Sequence, residues 1–240
     1  MVDLYQDSGE FLDVMSLGAW MALREPVRQA LAGVASSSDP IVDLGAGSGL
    51  GVAVAAEVAP HVEILAVEPS PVQRAALHAR LGMAADLMRR VTVVAGGAER
   101  FGLPDRIGAV LAINMIGHLA PAERRGLWRR LVGRLGDGAP LVVNLQPPAE
   151  PVAIAETVFG TVQVGRLRYE GSGSVEPAGA DVVMWHMRYR VLDEGGDPVR
   201  EFTADYPWHV LSVPQLVAEL SAAGFLAQAG PLDVVRAVRA

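Results

Sequence analysis

Three glycines, Gly45, Gly47 and Gly49, follow closely behind an acid, Asp43, and a second acid, Glu68, comes about twenty residues after them. Glycine lets the backbone approach a ligand and adopt φ > 0. The apolar pair Ile41-Val42 leads into Asp43, and an apolar helical pattern begins around Gly51. That order reads as a buried strand, a tight turn and a helix N-terminus. A carboxylate at Asp43 points charge at the turn, which suits a cationic amino-acid group and disfavours a pyrophosphate. Glu68 ends a second apolar run, where it can accept from both hydroxyls of a ribose. The nicotinamide fingerprint G-x-G-x-x-G/A fails in both registers. Its third place holds Leu50 when counted from Gly45 and Val52 when counted from Gly47.

The run Val42-Asp43-Leu44-Gly45-Ala46-Gly47-Ser48-Gly49-Leu50-Gly51, with Glu68 behind it, resembles the first two motifs of the class I S-adenosylmethionine-dependent methyltransferases. The resemblance covers residues 41–145 and the chain's ending, a helix and two strands that would close a seven-stranded sheet. It implies S-adenosyl-L-methionine as cofactor and S-adenosyl-L-homocysteine as product. It implies that Gly45, Ala46, Gly47 and Gly49 floor the methionine portion, that Asp43 faces its amino group directly or through water, and that Glu68, with Pro69 beside it, holds the ribose. Members often carry G-D-A after the third strand, the Asp accepting from the adenine amino group. This chain has Gly97 in that place, which leaves the backbone at Ala98 or the carboxylate of Glu99 to read adenine. Such enzymes often fold an aromatic residue of the N-terminal segment over the cofactor, and Tyr5 is the candidate.

Asn114-Met115-Ile116-Gly117-His118 follows the fourth strand, and open α/β sheets bind ligands beyond the carboxyl ends of their strands. Asn114 is expected against the cofactor, and Met115 and His118 beside the acceptor. His118 is the first candidate for a general base, titrating near the unperturbed value of about 6.5. Packing alone is its alternative reading. Further on, period two puts Val183, Trp185, Met187, Tyr189 and Val191 on one face and Met184, His186, Arg188 and Arg190 on the other. The apolar face is expected to be a core or a pocket lid, with Trp185 and Tyr189 towards the acceptor. Tyr206, Trp208 and His209 sit where this block rejoins the sheet. Tyr206 and His209 are further catalytic candidates, and Trp208 is a further acceptor contact.

These residues need elements to position them. The patterning gives a helix over 11–34, broken at Pro26, with Leu12, Met15, Leu17, Trp20, Met21 and Leu23 mostly facing the core. Strands over 41–44, 62–67, 91–95, 109–114 and 140–145 alternate with helices over 49–58, 71–87 and 121–135, which argues a parallel sheet covered on both faces. Three extended segments follow, 161–169, 181–192 and 199–206, separated by turn-rich stretches at 171–179 and 193–198. A helix over 213–223 and strands over 226–228 and 232–238 close the chain. The expected fold is α/β, a Rossmann-like, mostly parallel seven-stranded sheet with an inserted antiparallel β lid. Its parts are an N-terminal helical cap (1–38), a cofactor-binding core (39–150), a lid and substrate subdomain (151–210) and a C-terminal return to the core (211–240).

Composition narrows the function. The chain has 240 residues, 51% of them hydrophobic, a net charge of -7 and no cysteine. All 20 basic residues are arginine, which excludes Schiff-base lysine chemistry, and the missing thiols exclude a Cys–zinc site. Arginine in place of lysine, with abundant Ala, Gly and Val, fits a GC-rich bacterial coding bias. His61, His78, His118, His186 and His209 show no metal-ligand spacing, so no metal is expected. The acidic balance argues against a nucleic-acid partner. No basic n-region or long apolar span marks a secretory signal or a membrane helix, so the expectation is a cytoplasmic protein, monomer or homodimer. The resulting reading is methyl transfer to an O, N or C nucleophile of a small molecule, a natural product or other metabolite. A non-methyl reaction such as cyclisation on the same fold, or a non-catalytic cofactor-binding protein, is the alternative.

Overall fold

The computed structural model describes residues 3–240. Helix α1 (Gly9–Ala30) precedes strand β1 (Ile41–Leu44), and α2 (Leu50–Val58) leads to β2 (Ile64–Val67). Helices α3 (Pro71–Gly82) and α4 (Ala85–Arg90) lead to β3 (Val91–Val94). Strand β4 (Ala109–Ala112), helix α5 (Pro121–Val132) and strand β5 (Leu141–Asn144) follow. The sheet order is β3–β2–β1–β4–β5–β11–β10, where β10 (Phe225–Ala229) and β11 (Val234–Arg239) come after α6 (Val213–Ala222). β11 runs antiparallel to both of its neighbours, and the other pairings are parallel.

Strands β1, β4 and β5 are buried at every residue, because helices cover both faces. On one face Leu127, Trp128 and Leu131 of α5 pack with Leu216 and Leu220 of α6. On the other, Val27 of α1, Val54 and Ala55 of α2, and Leu77 of α3 form a second layer. The strand order reverses beside β1, between β2 and β4. That crevice at the carboxyl ends is where this architecture accepts ligands.

Between β5 and α6 lies a separate four-stranded antiparallel sheet: β6 (Ile154–Val164), β7 (Leu167–Pro177), β8 (Val182–Leu192) and β9 (Pro198–His209). The pattern reading gave three segments here, and the structure has four. The expected strand over 161–169 straddles the β6–β7 hairpin, whose turn holds Gly165 at φ 59°. The expected turn at 171–179 is mostly strand β7. Its glycines make room for neighbours rather than bends: a Cβ on Gly171 would lie 2.4 Å from the Phe159 ring, and one on Gly173 2.9 Å from Met187 Sδ.

Two helices also differ from expectation. α1 runs through Pro26 without ending, because Leu23, Val27 and Ala30 around it are buried in the core. That burial offsets a proline cost of about 3 kcal/mol. The helix expected over 71–87 is two helices, parted at Met83-Ala84. N-terminal to the core segment around Pro26, the apolar positions of α1 divide three ways. Phe11 and Met15 pack on the inserted sheet, Leu12 and Trp20 face the crevice, and Leu17 and Met21 are exposed. Among the described residues no helix is long and apolar enough to cross a membrane.

Candidate functional site

The glycine turn after β1 is fixed by sterics. Gly45 has φ 67°, and a Cβ there would lie 2.7 Å from Met115 Cβ. Gly49 caps α2 at φ 90°, where a Cβ would lie 2.4 Å from Leu77 Cδ1. Any side chain at either position would strain the backbone and displace a core neighbour. Side chains lock the same turn from outside. Arg80 Nε donates to the Ser48 carbonyl at 2.8 Å, and Asp13 of α1 accepts from both the Ser48 hydroxyl and Arg80.

Glu68, 4% exposed, accepts from the backbone N–H of Gly47 at 2.9 Å and of Ser70 at 2.8 Å. Burial raises its pKa, and those two N–H groups pull it back. Asp43 lies beneath the turn at 2% exposure, and its Oδ2 is buried without a hydrogen-bond partner. Gly51 makes that possible, since a Cβ there would sit 2.7 Å from Oδ2. Burial, and secondarily the charge of Glu68, push the Asp43 carboxyl up to about 8.

A cleft of about 610 Å³ opens above this floor. Gly45, Ala46, Gly47, Glu68 and Pro69 line one wall, and Gly97, Ala98 and Glu99 another. A Cβ on Gly97 would strike the Glu99 carboxylate at 2.4 Å, so the missing side chain at 97 is the space that Glu99 fills. Arg130 of α5 holds this loop by donating to the carbonyls of Ala98, Glu99 and Phe101.

The third wall follows β4. Asn114 takes φ 56°, with its N–H donating to Asn144 Oδ1 and its Oδ1 accepting from Asn144 Nδ2, each at 2.6 Å. That clasp turns Met115 and His118 into the cleft. The Tyr5 hydroxyl and His118 Nε2 lie 2.5 Å apart. Burial raises the Tyr5 pKa and lowers that of His118 to about 4, so the phenol donates and the neutral imidazole accepts. Tyr206 and Trp208 complete an aromatic wall around His118, with ring centroids 6.1 and 4.7 Å from it. Gly117 admits Trp208, since a Cβ there would lie 1.9 Å from the indole.

Five expected site residues do not line the cleft: Asp43 and Gly49 lie beneath its floor, and Trp185, Tyr189 and His209 lie elsewhere. Trp185 and Tyr189 do not line the cleft. The apolar face of the inserted sheet closes on α1 instead, with Tyr189 against Phe11 and stacked on Phe202 at 5.1 Å. Alternation along β9 sends Tyr206 and Trp208 inward and therefore turns His209 away, towards Asp181. Sequence reading missed Leu12, Ser16 and Trp20 of α1, which line the cleft at the i, i+4, i+8 spacing of one helix face. It also missed Gln73, Glu123 and Gln146. Among the described residues no group of three or more His, Asp or Glu side chains could hold a metal ion.

A doubly covered parallel sheet, a glycine turn over a buried acid and a second buried acid after β2 fit an α/β methyltransferase fold with a β insert. Comparison with known proteins agrees. Residues 41–138 match the family described as methyltransferase domain. No curated protein matches the chain by sequence. Among solved structures it is similar to DesVI of Streptomyces venezuelae, with 17% identity over all of both chains and a TM-score of 0.76. It is also similar to CalS10 of Micromonospora echinaspora, an amino pentose methyltransferase of calicheamicin biosynthesis with S-adenosylmethionine bound, at 20% identity, 92% of each chain and a TM-score of 0.72. The sugar N-methyltransferase KedS8 of Streptoalloteichus is a third, at 22% identity over 93% of this chain and 90% of that one, TM-score 0.72. Residues 41–138 thus carry a methyltransferase domain, and the chain as a whole has the methyltransferase fold with a β insert.

Proposed function

We propose that this chain methylates an amino group of a small sugar-bearing molecule, with S-adenosylmethionine as donor. The observation that carries the reading is the junction of two halves in one cleft: a glycine floor with Glu68 on one side, and the Tyr5–His118–Tyr206–Trp208 wall on the other. The residues fit the donor. Asp43 Oδ2 is an orphaned buried acceptor under the glycine turn, suited to an ammonium group, and Gly45 and Gly47 put no side chain into the cleft. When bound, S-adenosylmethionine supplies an electrophilic methyl carbon whose bond to sulfur breaks as the acceptor's bond to that carbon forms. Glu68 holds the ribose, and Glu99 takes the adenine-reading place that Gly97 leaves open. The nitrogen acceptor is favoured because similar structures include a sugar N-methyltransferase and an amino pentose methyltransferase. The test is product mass: a gain of one carbon and two hydrogens, with one S-adenosylhomocysteine formed per turnover. Turnover of amino-sugar acceptors with no mass gain would overturn it.

The Glu99 role has its own test. Gly97→Asp alone places a second carboxylate against Glu99 and is expected to weaken S-adenosylhomocysteine binding at least about tenfold, by like-charge crowding of 1–2 kcal/mol. The pair Gly97→Asp with Glu99→Gly moves the acid to the other position and is expected to recover most of that loss. If the pair binds no better than the single variant, Glu99 does not read adenine.

His118 acts here by position. An imidazole pushed down to about 4 is a poor proton acceptor from an ammonium of ordinary pKa, about 8–10. The neutral Nε2 is instead a hydrogen-bond acceptor that orients the amine once Tyr5 gives up its bond. The remaining work is proximity and exclusion of water. His118→Asn should therefore cost less than about tenfold in kcat, below the usual range of general-base assistance, while raising the acceptor KM. The rate should rise with pH along the acceptor's own ammonium titration, with no inflection near 6.5. A loss of about a hundredfold or more in kcat would restore the general-base role.

A further inference from the structure

We propose that the acceptor is an amino sugar whose remainder is neutral or cationic and carries no phosphate, so that this chain acts on a sugar already transferred to its carrier rather than on a nucleotide-linked one. The inference rests on the methyl-transfer reading above and concerns what else the same cleft admits. The carboxylates of Asp3, Glu68, Glu99 and Glu123 line the cleft, and among the described residues no arginine does. The chain has no lysine to take that part.

Of the nearby guanidinium groups, the exposed Arg100 lies 3.6 Å from the Glu99 carboxylate at the cleft's edge, and those that follow are committed elsewhere. Arg74 donates to the carbonyls of Glu68 and Pro69, and Arg80 to Ser48 and Asp13. Arg130 is spent on the carbonyls of the 98–101 loop. Arg124, almost fully buried, is held by both carboxylate oxygens of Glu219. In the inserted sheet, Arg188 and Arg190 point to the face away from the core cluster and pair with Glu156, Glu170 and Glu201. Recognition of a diphosphate calls for free fork donors of this kind. Arg100 alone, already beside Glu99, does not offset the four carboxylates of the cleft, so a diphosphate would enter a field of its own sign.

The opposite wall favours a cation. Tyr5, Tyr206 and Trp208 all line the cleft around His118, and aromatic faces attract ammonium groups. In the reading above, Glu68 and Glu99 belong to the cofactor. Asp3 and Glu123 then remain for the approaching acceptor. Asp3 Oδ1 and Oδ2 accept from Tyr5 N–H and the Ser70 hydroxyl, and Glu123 Oε2 accepts from Ala120 N–H, so each carboxylate is fixed in place.

The test is a binding titration of the S-adenosylhomocysteine-saturated protein, by calorimetry, with methyl glucosaminide and with uridine diphosphate glucosamine. The glycoside is expected to bind at least about tenfold more tightly at low salt, and the ratio to shrink as salt screens the cleft. Glu123→Arg should bring the ratio below about threefold. Tighter or equal binding of the diphosphate sugar, or no binding of the glycoside, would overturn the inference. A ratio unmoved by Glu123→Arg would overturn its electrostatic cause. Failure of the methyl-transfer reading itself shows separately, as a protein that does not bind S-adenosylhomocysteine at all.

Discussion

Glu68→Ala is expected to weaken S-adenosylhomocysteine binding on the order of a hundredfold, about 2.7 kcal/mol. An ionised carboxylate offers roughly four lone-pair sites. Two of those on Glu68 are taken by the N–H groups of Gly47 and Ser70, and the rest face the cleft. Charge-assisted hydrogen bonds to two ribose hydroxyls contribute about 1.5–3 kcal/mol each and are not additive, which brackets the figure. The alanine variant also strands the buried Ser70 N–H and removes the partner of the half-buried Gly47 N–H, so the free protein should melt at a lower temperature. Glu68→Gln separates the effects. Its amide oxygen still accepts from one N–H, but the charge that strengthens the ribose bonds is gone. Calorimetric titration of both variants, with circular dichroism confirming the fold, decides the matter. Wild-type affinity in the folded alanine variant would remove Glu68 from the ribose site.

Much of this site was legible because its signals are local. The acid and glycines of residues 43–49 occupy one turn, and Glu68 ends the strand paired in register with β1. What escaped depends on contacts between distant segments. Trp185 and Tyr189 have the alternation of a pocket lid, but a strand pattern states only that one face is buried, not what buries it. The partner is Phe11, more than 150 residues away in sequence. His209 failed for a simpler reason: once Trp208 faces inward, the next residue on the strand cannot. The cleft stripe Leu12, Ser16 and Trp20 was hidden by its own apolarity, since a helix face that lines a cavity has the periodicity of one that lines a core. For His118 the position was readable from the strand end, but its protonation was not. Burial among Tyr5, Tyr206 and Trp208 moves it from about 6.5 to about 4, and no neighbouring residue in the sequence announces that.

Asp43→Asn should shift stability and cofactor affinity in opposite directions. In the folded chain the Asp43 carboxyl is raised from 3.8 to about 8, first by burial and then by Glu68. A raised folded-state pKa means the fold prefers the neutral acid. The stability this gives is complete below about pH 4 and is lost as pH rises through 8. The free protein should therefore lose stability steadily across that window. Asparagine has no proton to lose, so the variant should lack that slope and melt at least about 5 °C above the wild type at pH 8–9. The upper bound on the effect is on the order of 5 kcal/mol. Ligand binding reverses the sign. An ammonium brought near Oδ2 favours the ionised carboxylate, so the wild type should release a proton on binding S-adenosylhomocysteine near pH 7. That release is read by repeating the calorimetry in buffers of different ionisation enthalpy. Asp43→Asn should bind without it and at least about tenfold more weakly, the loss of one charge-assisted contact. An unchanged affinity with no proton release in the wild type would mean that Asp43 stays neutral and caps the turn, leaving the methionine end of the cofactor to the backbone of the glycine floor.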